Sequence, residues 1–175
     1  IGHDLLESCS LFCWHCYFYY LCKGNKMIRL NLPPYPIKVR ETFGKRSIFD
    51  ILRRKYVALT PEEWVRQHII HFLVEHKGYP ATLLANEVPL HIGNKTVRAD
   101  SVLYDNLLHP KMIVEYKAPT IAITQKVFDQ ISAYNFLLHV DYLVVSNGIE
   151  SYYCKMDYEH QRYFFLKDLP DYQNI

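Results

Sequence analysis

Residues 112–146, MIVEYKAPTIAITQKVFDQISAYNFLLHVDYLVVS, decide the fold. Met112 to Lys117 is a strand-like run that follows a His109-Pro110 break. Thr124 then caps a helix from Gln125 to Leu138, because Val127, Ile131, Tyr134 and Leu138 recur at steps of four, three and four. Tyr142 to Ser146 is a short apolar strand of the kind buried on both faces of a sheet. A strand that crosses over through a helix to a parallel partner makes an α/β layer, and the surrounding elements make its sheet mixed, so the class is α/β with α+β character.

Upstream, Leu83 to Ile92 and Lys95 to Tyr104 flank Gly93-Asn94 and form an antiparallel hairpin leading into that strand. Before it, Thr60-Pro61-Glu62-Glu63 opens a helix with Thr at the cap, Pro at the first position and Glu three residues after the cap. Trp64, Val65, Ile69, Phe72 and Leu73 are its buried stripe, and Lys77-Gly78 ends it. Further back, Leu32-Pro33-Pro34-Tyr35-Pro36 is an extended arm, since Pro fixes φ and restrains the residue before it. Ile37 to Arg40 and Ser47 to Phe49 form a small hairpin about Gly44-Lys45, followed by Arg53-Arg54-Lys55 as a solvated basic corner. Downstream, Asn147-Gly148 turns the chain into Glu150 to Met156 and Arg162 to Leu166.

The chain has 175 residues, half of them hydrophobic, enough for one domain with a real core. Twenty Lys and Arg against eighteen Asp and Glu give +2, which excludes a supercharged binder and confines any nucleic-acid site to a local patch. Four of five cysteines, Cys9, Cys13, Cys16 and Cys22, lie in the first 22 residues. With His15 they lack the two separated ligand pairs of a structural zinc site. The apolar stretch Leu11 to Leu21 is too short to span a bilayer, and acidic residues precede it where a secretory signal carries basic ones. Met27 is the first methionine, so residues 1–26 are expected to be a leader and 27–175 a single domain. Its lone cysteine, Cys154, suits a reducing cytoplasm, and no membrane partner is expected.

The candidate chemistry sits on two strands. In Val114-Glu115-Tyr116-Lys117 the period of two puts Glu115 and Lys117 on one face. Arg98-Ala99-Asp100 brings a second carboxylate where the neighbouring strand could set it against Glu115. Two carboxylates with open positions accept a hydrated Mg²⁺, and Lys117 can stabilise charge developing on phosphate. The plain alternative is that Glu115 with Lys117, and Asp100 with Arg98, are ordinary ion pairs.

With the Thr60 to Arg66 helix start, Glu87 on the first hairpin strand, Gln130-Ile131-Ser132-Ala133-Tyr134 and Asn147-Gly148, this D…E-x-K pattern resembles the N-terminal domain of type I restriction enzyme R (motor) subunits. That domain is a member of the PD-(D/E)XK nuclease superfamily. The resemblance runs from about Leu32 to Tyr172. It implies a restriction-endonuclease-like core, a central mixed β-sheet flanked by helices, with the N-terminal β-hairpin as an arm. It implies Mg²⁺, or Mn²⁺, as cofactor, Asp100 and Glu115 as metal ligands, Lys117 as the catalytic lysine, and Gln130 and Tyr134 as DNA contacts. Glu63 and Glu87 are further candidate ligands, although Glu63 also fits a plain helix cap, and Gln130 with Tyr134 a plain i,i+4 contact.

Ala99 stands where the superfamily's naming proline would be, and no G-x-x-x-x-G-K-[ST] motor motif is present. The implied activity is a DNA phosphodiesterase of the endonuclease type without a helicase motor. Its partners would be DNA and other restriction or defence subunits. The competing expectation is a catalytically inactive nucleic-acid-binding or adaptor module on the same fold. His68, His71 and His76 lack H-E-x-x-H spacing and are expected to be surface or core histidines.

Overall fold

The computed structural model describes residues 27–175, so the expectation that residues 1–26 are a leader falls outside the described residues. Three strands come first: β1 (Val39–Thr42), β2 (Lys45–Asp50) and β3 (Lys55–Ala58). They form a separate antiparallel sheet in the order β1-β2-β3, one strand more than the expected hairpin. Asp50 makes the extra strand possible. Its Oδ1 accepts the backbone N–H of Leu52 and of Arg53, and its Oδ2 meets the Arg53 guanidinium, which ties off the tight turn into Lys55. The basic corner is therefore a structured bend.

Helix α1 (Pro61–His71) starts as its sequence requires, with Thr60 Oγ1 accepting from Glu63 N at 3.0 Å. It continues as a π-helical turn over Phe72–His76 and stops at Gly78, whose φ is +73°. Strands β4 (Leu84–Ile92), β5 (Lys95–Tyr104) and β6 (Pro110–Tyr116) follow. Then come α2 (Gln125–Leu138), β7 (Tyr142–Ser146), β8 (Ser151–Asp157) and β9 (Arg162–Leu166).

These six strands make one mixed sheet in the order β4-β5-β6-β7-β8-β9. Only β6 and β7 are parallel, joined by the α2 crossover, with Glu115 beside Val145. All five residues of β7 are buried, as its apolar run requires.

The sheet separates two cores. On one side Val114, Tyr116 and Val144 pack with Trp64, Val65 and Ile69 of α1 and with Ile48 of the small sheet. On the other, Ile113, Leu143 and Val145 pack with Val127, Ile131 and Tyr134 of α2. At about 25 cal/mol per Å² of apolar surface removed from water, these faces hold both helices on the sheet. The arm docks across the end of β7: Asn31 N–H donates to Gly148 O at 2.7 Å and Asn31 Nδ2 to Ile149 O at 2.9 Å. Among the described residues no helix is long and apolar enough to cross a membrane.

Candidate functional site

The antiparallel register that pairs Ser101 with Val114 sets Asp100, midway along β5, across from Glu115 near the end of β6. Tyr116 N–H donates to Asp100 Oδ2 at 2.9 Å, which fixes the carboxylate beside that strand. The alternation of β6 turns Val114 and Tyr116 into the α1 core and leaves Glu115 and Lys117 toward α2. There Lys117 Nζ donates to Glu115 Oε1 at 2.7 Å, and Gln130 Nε2 donates to the same oxygen at 2.6 Å. Gln130 also reaches Tyr134 Oη at 2.9 Å. The residues expected to contact DNA are thus also bonded into the cluster around Glu115, which combines the plain i,i+4 contact with a link to the carboxylate.

Glu115 carries the unusual electrostatics. It is 2% exposed, and its Oε2 is buried without a hydrogen-bond partner. Burial first, and then the charge of Asp100, raise its carboxyl from 4.5 to about 7 in spite of Lys117. A buried carboxylate oxygen with no protein donor is satisfied by a proton, a cation or a bound water.

Two of the candidate ligands are engaged by arginines. Glu63 does not reach back to cap its helix; its carboxylate accepts from Gln67 Nε2 at 2.8 Å and lies 3.4 Å from Arg53 and 3.5 Å from Arg66. Glu87, at φ +55° on β4, pairs with Arg53, Arg66 and Arg98. A further glutamate, Glu62, lies 3.8 Å from Arg66 beside the site. Its carboxyl is raised, by burial and then by Asp100, and it interacts with Lys117.

Arg66 is the other residue sequence reasoning passed over. It is 4% exposed, stands 3.1 Å from Asp100 Oδ1, 3.4 Å from Glu87 and 3.8 Å from Glu62, and lies over the Tyr116 ring. Its position held the signal: Arg66 precedes Ile69 and Ile70 by three and four, so it shares their buried helical face. His68 and His71 are buried; His68 Nδ1 bonds Trp64 O at 2.7 Å, and burial lowers that imidazole to about 4.

Among the described residues no three His, Cys, Asp or Glu side chains are gathered around a common metal position. The donors nevertheless suit a hard cation that keeps much of its water. Asp100 and Glu115 are oxygen ligands on facing strands, one with an orphaned atom, and Glu62 is within electrostatic reach. A cavity of about 190 Å³ lined by Leu103, Tyr104, Asp105, Lys111, Tyr172 and Ile175 sits at the opposite end of β5 and β6, away from this chemistry.

The family model for the N terminus of type I restriction enzyme R proteins matches residues 61–170, from the start of α1 to beyond β9. The chain belongs to this R protein N-terminal family. A solved fragment described as an HsdR subunit of a type I restriction enzyme from Vibrio vulnificus YJ016 is similar over 64% of this chain, at 18% identity and a TM-score of 0.46. The similar region is 24% of that chain, so the protein spans about a quarter of the relative's length. No curated protein matches. Membership of the R protein N-terminal family makes the chain a module related to restriction-enzyme nucleases, with Asp100, Glu115, Lys117, Gln130 and Tyr134 gathered around the end of β6.

Proposed function

We propose that the chain is a Mg²⁺-dependent DNA phosphodiesterase. One observation carries this reading: buried Glu115, opposite Asp100, gives one oxygen to Lys117 and Gln130 and leaves the other without a partner. Asp100 and Glu115 would hold the ion, with Glu62 available through it or through its water. When bound, Mg²⁺ supplies charge against the scissile phosphate and acidifies a water ligand.

The chain's own residues do the rest. Lys117, held by Glu115 and 3.5 Å from Gln130 Oε1, presents an ammonium to charge that grows on the phosphate. Gln130 fixes the Glu115 carboxylate with one amide hydrogen and the Tyr134 hydroxyl with the other, and the reading assigns DNA contact to this pair through α2. Other restriction or defence subunits are the partners this reading supplies.

The test is plasmid nicking with Mg²⁺ or Mn²⁺. Wild type is expected to nick, and Lys117→Ala to lose activity by orders of magnitude with little change in DNA affinity, because the lysine acts chiefly in the transition state. Equal nicking by both proteins would refute the reading. Arg66 favours a second possibility: it occupies Asp100 Oδ1, and Tyr116 N–H occupies Oδ2, as in a site kept for binding without turnover. On that reading no divalent ion restores nicking, although DNA still binds.

A further inference from the structure

The net charge of +2 conceals a strong asymmetry. Residues 27–58, the arm and the three-stranded sheet, hold eight Lys or Arg against two Asp or Glu, a net of +6. Residues 59–175 hold ten against fourteen, a net of −4. The basic excess is therefore confined to a part of the fold that contributes no residue to the Glu115 cluster.

The register of the small sheet sorts those charges by face. Val39, Ile48 and Val57 are cross-strand neighbours, and all three belong to or pack against the core. The alternate positions therefore form the outer face: Arg40 and Thr42 of β1, Lys45, Ser47 and Phe49 of β2, and Tyr56 and Ala58 of β3. Lys38 joins them, since its carbonyl accepts from Phe49 N–H and its ammonium lies 5.7 Å from the Phe49 ring. Both carboxylates of the segment occupy the other set of positions, Glu41 near Arg46 at 3.6 Å and Asp50 against Arg53. The outer face thus carries Lys38, Arg40 and Lys45, all exposed, and no acid. None of the three has an ion-pair partner among the described residues.

The face is also ordered in advance. Phe49 and Tyr56 pack edge to face at 5.2 Å, and the Arg40 guanidinium lies 3.8 Å over Tyr56 while its Nε donates to Ser47 Oγ at 3.2 Å. One side of the guanidinium rests on the ring, and its two terminal nitrogens make no hydrogen bond or ion pair among the described residues. That is the planar fork that takes a phosphate oxygen pair. With Arg40 over Tyr56 and the Lys38 ammonium 5.7 Å from the Phe49 ring, the groups this face offers a nucleic acid are cations, which contact phosphate.

We infer that the outer face of the three-stranded sheet, through Lys38, Arg40 and Lys45, binds the phosphate backbone of duplex DNA as a surface separate from the Glu115 cluster. The sheet is tied to that cluster through Arg53, which reaches Glu63 and Glu87, the carboxylates that share Arg66 with Asp100. The inference goes beyond cleavage and holds whether or not the site turns over.

The experiment is a titration of a fluorescein-labelled duplex with the whole chain, in EDTA, at several salt concentrations, read by anisotropy. EDTA removes catalysis from the measurement, so a failed nicking assay and a failed binding assay stay distinct. Three phosphate contacts predict that log K falls against log salt with a slope of roughly −2.7. Lys38→Gln/Arg40→Gln/Lys45→Gln, checked for an unchanged melting temperature, should bind at least about tenfold more weakly at low salt, with most of the slope gone. Single Arg40→Gln, should the triple variant melt early, is expected to reduce the slope by about 0.9. Unchanged affinity and slope in a folded variant would overturn the inference. So would displacement of the duplex by poly-glutamate at equal charge, which would assign the face to an acidic protein.

Discussion

Replacing Glu115 by Gln removes a charge opposed by burial and by Asp100, yet keeps an oxygen for Lys117 and Gln130. The carboxyl stands at about 7 in place of 4.5, and each pH unit of that difference is worth about 1.4 kcal/mol. The ceiling on the effect is therefore about 3 kcal/mol. A raised carboxyl keeps its proton in the folded protein at pH values where the unfolded chain has lost it. Its stabilisation is fully present below 4.5 and is lost as pH rises through about 7. Between pH 5.5 and 8 that loss amounts to about 2 kcal/mol. His68 acts in the opposite direction: burial holds it near 4, so its contribution grows with pH between about 4 and 6.5 and partly masks Glu115 in wild type. The difference between wild type and Glu115→Gln cancels His68. Urea unfolding without divalent ions should show the variant gaining about 2 kcal/mol on wild type from pH 5.5 to 8. A difference independent of pH would show that Glu115 ionises normally and that the orphaned oxygen is solvated.

Asp100→Asn should abolish stabilisation by Mn²⁺, which in wild type is expected to reach about 2.7 kcal/mol at 100 times the dissociation constant; equal thermal shifts in both proteins would contradict the metal pair. Arg66→Met leaves Glu63, Glu87 and Asp100 facing one another without their shared cation. Chemical denaturation should register a loss of about 3–5 kcal/mol, and a loss below about 1 kcal/mol would mean that water already serves those carboxylates. Gly148→Ala puts a Cβ 2.7 Å from Leu30 Cδ2 at a residue whose φ is +79°. It should cost about 2 kcal/mol and lower the melting temperature by at least about 4 °C, whereas an unchanged melting curve would mean that the arm is not docked there.

Local patterns were enough for much of this. The four-three-four spacing of Val127, Ile131, Tyr134 and Leu138 located α2 with its true ends, and the apolar run Tyr142 to Ser146 located β7. Alternation along β6 put Glu115 and Lys117 on one face, as the bond between them confirms. What no local pattern specifies is which way a polar side chain turns when several charges compete for it. Glu63 satisfies a capping signature, but Arg53, Arg66 and Gln67 outbid the backbone N–H for its carboxylate, and Glu62 beside it pairs with Arg66. The third strand of the small sheet escaped notice because three consecutive cations look solvated until Asp50, three residues before Arg53, is seen to organise the turn. The role of Gln130 could be placed on a helix but not against Glu115, since that contact depends on how α2 crosses the sheet.

The main sheet runs β4 to β9 in the same order as the chain, so each strand finds its partner in the stretch made just before it. Chains whose contacts lie close in sequence fold quickly, since little loop entropy must be lost before contacts reward it. The arm is different: Asn31 meets Gly148 and Ile149 across more than a hundred residues. On a ribosome the sheet can zip up strand by strand, while the arm, although synthesised first, has to wait until β7 and the turn after it have emerged. Its contacts are then expected to form late, and weakening them, as in Asn31→Ala, should speed unfolding and leave the folding rate nearly unchanged.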